Sequence, residues 1–522
     1  MAAKSPLMEQ YKSIKNEHKD AFLFYRLGDF YELFYDDAVT VSHELELTLT
    51  GKNAGPEGRV PMCGIPYHAA ETYIYRLVQK GYKVAICEQL EDPKKAKGLV
   101  KRDVIRIVTP GTILFENSIA DKSNNYLAYL YETDNDIDAV LADISTGECW
   151  WGIWDKKKER EAFFDMLSVY APTEAVCSLS DNFYGRLEAY CRARLGCCLL
   201  TRRGKDGDDP VPHVAEALGD ENIRRVFAWL AAYLKEMMKA DAAEFHTVMP
   251  IREKDCLLLG EDCLRNLEIT RNMRDGGRRG TLLEILDHTH TAMGARLLRR
   301  WLERPLTDVN RIIQRQDGIE ELTGHTTELS QLEEMLEHVF DFERILTRIE
   351  ANTTSPKDLL ALKASLGMIP EIKKLLSGTV SIVLRKLSDQ MDIHSTVYEL
   401  LDRSMNENGT GNIRDGKYIK EGYSAELDEV RSLSENSRKW IADLEEREKE
   451  KTGIKLKIGF NNVFGYYFEI TNANKVPIPE YYMRKQTLVN AERYITPELK
   501  EFETKALSAK EKTEELELKI YQ

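Results

Sequence analysis

The chain has 522 residues, 43% of them hydrophobic and 31% charged, which is ordinary globular material but too long for one core, so roughly three to five domains are expected. No apolar run reaches the roughly 18 residues of a membrane-spanning helix, and the N-terminus (MAAKSPLMEQYKS) has no apolar signal region, so a cytosolic protein is expected. The net charge of −14 weighs against a nucleic-acid partner unless cations are clustered, and nine cysteines, an odd number with no Cys-x-x-Cys pair, indicate neither a zinc site nor a disulfide framework.

Residues 1–116 read as a small α/β domain. An N-terminal helix precedes β-forming residues over 21–27, and Gly28-Asp29 breaks that run. Apolar residues then recur at Phe30, Leu33, Phe34, Ala38 and Val41, which predicts a helix from Phe30 with Asp29 and Glu32 as a capping box. Val84–Cys87 and Val104–Val108 read as further strands, Thr50–Asn53 as a loop, and Thr109-Pro110-Gly111-Thr112 as a boundary. Lys94, Lys95, Lys97, Lys101, Arg102 and Arg106 form a basic run with only Asp103 among them, a candidate phosphate-binding face.

Residues 117–250 read as a second α/β unit, in which Ala139–Ile144 and Cys149–Trp154 flank Ser145-Thr146-Gly147-Glu148 as a hairpin. Residues 251–450 read as almost wholly helical. His288 and His290 are two apart and diverge on a helix, and Gly276-Gly277-x-x-Gly280 lacks the Lys-Ser or Lys-Thr of a phosphate loop.

A helix capped by Ser424 runs to about Glu450 with Val430, Leu433, Ser437, Trp440 and Leu444 at heptad spacing. A second, capped by Thr496 with Pro497 at its first position, carries Leu499, Phe502, Ala506, Ala509, Thr513, Leu516 and Ile520. The two are expected to pair antiparallel, with residues 451–495 as a small sheet inserted at the tip. Lys451, Lys455, Lys457, Lys475, Arg484, Lys485 and Arg493 make that insertion locally basic.

Gly28-Asp29-Phe30-Tyr31-Glu32 and Pro61-Met62-Cys63-Gly64-Ile65-Pro66-Tyr67-His68 resemble the mismatch-recognition domain of the MutS family. Arg265–Thr270, Leu286–Leu306, Gly459-Phe460-Asn461, Gly465-Tyr466-Tyr467 and Gln486–Tyr494 continue that resemblance down the chain. It implies a multidomain α/β plus all-α protein. The parts are an α/β mismatch-recognition domain (1–116), a ribonuclease H-like connector (117–250), and a helical core with the first lever helix (251–450). A β clamp (451–495) and a returning lever (496–522) complete it.

The resemblance also implies that Phe30 wedges into the duplex. Unstacking a base step costs a few kcal/mol, least at a defective pair, and stacking on the ring returns roughly 1–3 kcal/mol for any base. Glu32 would hydrogen-bond the displaced base and discourage binding to intact duplex. Lys52, Gly64 and Ile65 would lie against DNA, and Lys457, Asn461, Lys485 and Asn490 would hold phosphates without reading sequence. Position 489, often Lys in the family, is Val here.

The expected partners are double-stranded DNA with mismatches or small loops and downstream repair proteins, with a homodimer for the complete protein. ATP and magnesium belong to a family ATPase domain whose phosphate loop is absent from these residues, so a fragment or truncated product is expected. Two other readings stay open: a structural DNA-junction binder, and a metal nuclease built on Asp143.

Overall fold

The computed structural model describes residues 6–522 except 92–97, 115–121, 197, 205–210, 240–244, 252–255, 258, 410–412, 414–415 and 462–464, and omits the side chains of 56, 433–439 and 504–508. It divides into two compact units, one of residues 1–354 with 368–393 and the other of 355–367 with 394–522.

The first unit opens with α1 (Pro6–Glu17), β1 (Ala21–Leu27), β2 (Phe30–Phe34), α2 (Tyr35–Leu45), β3 (Thr50–Asn53), β4 (Arg59–Pro66), α3 (Ala70–Gln79), β5 (Lys83–Gln89) and β6 (Arg102–Val108). These strands form one sheet in the order β3-β4-β2-β1-β5-β6. The helix expected from Phe30 begins only at Tyr35, and residues 30–34 are a strand antiparallel to both β1 and β4. Burial alternates over its first four residues, Phe30 out, Tyr31 in, Glu32 partly out, Leu33 in, the period of a strand. No capping box forms, because Asp29 lies in the turn and the N-cap of α2 is Phe34, whose side chain makes no capping bond. Thr50–Asn53 is likewise a strand.

One face of this sheet is closed by α2 and α3, with Phe24, Tyr31, Leu33, Cys63 and Ile65 packed against Ala38, Val41, Ile74 and Leu77. On the other face Leu23, Tyr25 and Phe34 share a core with Tyr11 of α1 and with the second sheet. That sheet contains β7 (Leu127–Glu132), β8 (Asp136–Asp143), β9 (Glu148–Asp155), β10 (Glu174–Ser178), β11 (Leu199–Arg202) and β12 (Thr247–Pro250), in the order β11-β10-β7-β8-β9-β12. The hairpin expected around Gly147 is present, with Asp143 paired to Glu148 and Gly147 at φ +71. Helices α4 (Arg160–Tyr170) and α5 (Asp181–Tyr190) pack on one face around Trp150, Trp154 and Phe163. The amphipathic α6 (Glu221–Met238) covers the other.

The helices that follow are α7 (Glu261–Asn266), α8 (Leu282–Leu286), α9 (Ala292–Glu303), α10 (Val309–Gly324), α11 (Thr326–Glu337), α12 (Phe342–Glu350), α13 (Pro356–Ser377), α14 (Ile382–Gln390) and α15 (Ser395–Ser404). In the second unit α16 (Ala425–Thr452) starts where Ser424 accepts a bond from Leu427 N, and α17 (Pro497–Tyr521) where Thr496 accepts from Leu499 N. The two run antiparallel. Arg431 pairs with Glu517, the rings of Trp440 and Phe502 stack at 3.9 Å, and Arg447 pairs with Glu498. Between them lie β13 (Leu456–Asn461), β14 (Gly465–Thr471), β15 (Met483–Thr487) and β16 (Ala491–Ile495), an antiparallel sheet ordered β13-β14-β16-β15. Its core of Phe468, Tyr482 and Tyr494 packs onto Leu444 and Leu499 of the helices.

Candidate nucleic-acid interface

Gly28 and Asp29 are the whole connection between β1 and β2, Leu27 being paired with Phe30 across it. Gly28 takes φ +58, which costs a residue without a side chain little. The turn is pinned by residues distant in sequence. Arg26 Nε donates to Gly28 O at 2.5 Å, Tyr67 N donates to Asp29 O at 3.0 Å, and the Arg26 guanidinium lies 3.7 Å from the centre of the Tyr67 ring. Arg26 Nη1 also donates to Glu88 at 3.2 Å, and the Tyr31 hydroxyl donates to the same carboxylate. Burial, with Glu88 beside it, pushes the Tyr31 phenol up, so it stays a neutral donor. Arg26 and Glu88 were not anticipated from the sequence, and Tyr67 stood there only as part of the 61–68 motif, since no local spacing links the three.

The first residue beyond this pinned turn is Phe30, 46% exposed in a strand whose alternate residues are core. Glu32 follows on the same sheet face and accepts from Lys52 Nζ at 2.5 Å. Lys52 also lies 5.4 Å from the centre of the Phe34 ring. Gly64 pairs with Glu32 in register, and a Cβ there would sit 3.7 Å from the Phe30 ring. Phe30, Glu32, Lys52 and Gly64 thus converge. Ile65 does not: it is fully buried, its side chain on the opposite face among α2 and α3, so no side-chain contact with DNA is open to it.

Two of the six cations in the basic run at 94–106 are engaged by backbone carbonyls, and Lys101 is exposed. Arg102 is buried and donates to the carbonyls of Arg26 and Val100, and Arg106 donates to Thr112 O. Lys94, Lys95 and Lys97 lie outside the described residues.

Three of the seven cations expected over 451–495 are ion-paired: Arg484 with Glu492 at 3.1 Å and Arg493 with Glu469 at 3.2 Å on the small sheet, and Lys451 with Glu448 at 3.6 Å at the end of α16. Lys457 and Lys485 are exposed and carry no ion pair among the described residues. Lys485 is the extra residue of a bulge between Arg484 and Gln486. Asn490 and the 93% exposed Val489 form the tip of the β15–β16 turn, held by Asn472, which donates to both of their carbonyls. Asn461 ends β13, paired with Gly465.

Asp143 is fully buried and accepts four bonds, from Asn124 Nδ2, Asn125 N, Ser145 N and Ser145 Oγ. Its lone pairs are committed to the hairpin turn and to the segment leading into β7 and leave none for a metal, which removes the basis of the nuclease reading. The loop glycines 276, 277 and 280 donate their amides to Asn272, Asp275 and Glu284, so they do not form a phosphate cradle.

Residues 5–117 match the MutS domain I family and residues 262–516 the MutS domain III family. The chain is 42% identical to the DNA mismatch repair protein MutS of Caldanaerobacter subterraneus over 99% of its own length and 61% of the relative's. It is 41% identical to the proteins of that name from Listeria monocytogenes and Bacillus subtilis, over 100% of this chain and 60% of each relative. The chain therefore spans about three fifths of the length of these relatives.

Proposed function

The chain belongs to the MutS family, and from that premise we propose that it recognises and binds mismatched double-stranded DNA in mismatch repair. The observation that carries this reading is the half-exposed Phe30 on a turn fixed by Arg26, Tyr67 and Gly28. A wedge must not yield when it presses on a base step. A pinned turn puts the deformation into the DNA, where a defective pair unstacks at least cost. Glu32 lies beside the wedge and faces the displaced base once Lys52 turns to a phosphate. Its charge, repelled by the backbone, penalises intact duplex.

In the same reading the small sheet is the clamp, with Lys457, Lys485, Asn461 and Asn490 on the phosphates, the paired helices α16 and α17 are levers, and the second sheet is a ribonuclease H-like connector. The complete protein would act in the cytoplasm as a homodimer that couples binding to ATP and magnesium in residues beyond these and signals to downstream repair proteins. Among the described residues no helix is long and apolar enough to cross a membrane.

Fluorescence anisotropy with a matched duplex and with the same duplex carrying one mispair tests the reading. Tighter binding to the mispair at equal salt supports it, and equal binding contradicts it.

A further inference from the structure

Three cysteines meet on the face of the second sheet that α4 and α5 cover. Cys177 on β10 and Cys191 just past α5 are buried in one apolar cluster, and the partly exposed Cys198, just before β11, packs against it. Cys177 is engaged elsewhere: its S–H donates to Ala175 O at 3.5 Å, and burial pushes its thiol up. The other two face each other. The Cys198 S–H donates to the Cys191 sulfur, which holds the Cys191 thiol below its usual range against the opposing effect of burial, and the same bond pushes the Cys198 thiol up.

The segment that joins them is a surface turn. Cys191–Leu195 form one π-helical turn, Gly196 follows at φ +70, and Arg192, Ala193, Arg194 and Gly196 are exposed. Leu199 N donates to Thr173 O at 3.0 Å, so the chain re-enters the sheet directly after Cys198. A thiol made more acidic by a neighbouring thiol, beneath an exposed turn, can meet a small oxidant as thiolate while the second sulfur stands ready to resolve the product. We propose that Cys191 and Cys198 are a peroxide-responsive pair that closes a reversible disulfide. The Cys191 thiolate attacks an oxygen of hydrogen peroxide, the O–O bond breaks, and sulfenic acid forms as the departing hydroxide takes up the proton that Cys191 released. The Cys198 sulfur then attacks the sulfenic sulfur, the S–O bond breaks, and water leaves with the Cys198 proton. Two electrons pass from the sulfurs to the peroxide, and the products are one disulfide and two waters. The new bond ties the end of α5 to the start of β11.

The full chain is treated with equimolar hydrogen peroxide, free thiols are blocked with N-ethylmaleimide, and tryptic peptides are read by mass spectrometry. Cleavage after Arg192 and Arg194 separates Cys191 from Cys198, so their disulfide joins two peptides. The expected result is that this link dominates among the nine cysteines of the chain and is reversed by dithiothreitol. It persists in Cys197→Ser and is absent in Cys198→Ser, where dimedone labels Cys191 instead. Circular dichroism shows whether Cys198→Ser is folded; where it is not, Cys197→Ser and the comparison with urea-unfolded chain decide. A link through Cys177 or Cys197 in place of Cys198 overturns the proposal, as does a Cys191–Cys198 link no more frequent in the native chain than in urea. Dimedone on another cysteine but not on Cys191 in folded Cys198→Ser overturns the role of Cys191 as the attacking sulfur. None of these readouts involves DNA, so the outcome is independent of the mismatch reading.

Discussion

Lys52 Nζ and Glu32 Oε2 are 2.5 Å apart, joined across β4 on the sheet face that presents Phe30. On the proposed function two DNA-facing roles would compete at this pair, since Lys52 could serve a phosphate only by releasing Glu32. Glu32→Gln removes the repelled charge, so affinity for matched duplex is expected to rise severalfold, on the order of 1 kcal/mol, while affinity for a mispair changes less. The mismatch preference narrows. Lys52→Met is expected to weaken both duplexes alike and to reduce the slope of log affinity against log salt by about 1. Salt titrations of the two variants on both duplexes check this; an unchanged preference in Glu32→Gln counts against it.

Arg26 holds the turn that carries Phe30, the proposed wedge, through Gly28 O, the Tyr67 ring and Glu88. Arg26→Ala is expected to reduce mismatch preference by roughly fivefold, about 1 kcal/mol, with matched-duplex affinity nearly unchanged. Competition binding with both duplexes reads this out. A uniform loss on both would mean that Arg26 serves only the fold.

Asp138 on β8 is buried, and its Oδ2 has no hydrogen-bond partner. Burial, with Asp220 and Asp136 nearby, raises its pKa to about 7. The folded state therefore holds a proton that the unfolded chain, with a carboxylate pKa of about 3.9, has released. Stability from this group falls as pH rises from about 4 to 7 and stays low above that. Asp138→Asn is expected to be more stable than the parent at pH 8 and equal to it near pH 4. Urea midpoints at the two values decide it, and a variant less stable at pH 8 refutes the assignment.

Glu517, almost fully buried on α17, accepts from the backbone N–H groups of Lys417 and Ile419 and from Arg431 of α16 at 2.6 Å. Arg431→Met leaves that carboxylate uncompensated and is expected to cost about 3 kcal/mol. Arg431→Met with Glu517→Met is expected to cost less than the two single effects added. A double-mutant cycle by denaturant unfolding measures the coupling; strictly additive costs would show the pair to be idle.

What the sequence made legible was local chemistry. Ser424 and Thr496 mark helix starts because a hydroxyl satisfies a free amide three residues on, Pro497 because its fixed φ suits a first helical position whose N–H would go unpaired, and Gly147 marks a turn because of its backbone freedom. Residues 30–34 misled because Phe30, Leu33 and Phe34 satisfy helical spacing. The strand that wins there pairs with β1 across the Gly28-Asp29 turn and with β4, some thirty residues away, and the second partner lies in no local window. Ile65 is buried and Arg102 turned inward for the same reason: the sheet face each takes is fixed by distant partners. Phe30, Glu32, Lys52 and Gly64 were legible as candidates through their resemblance to a family. Their convergence, and the arginine stacked behind them, required the fold.

The most direct measurement is the affinity of Phe30→Ala for a duplex with one mispair and for its perfect counterpart, at the same moderate salt. Losing the ring removes roughly 1–3 kcal/mol of stacking. The expected result is a mismatch preference collapsed to near unity, with matched-duplex binding within about twofold of the parent because its phosphate contacts persist. A preference that survives the loss of the ring would contradict the account.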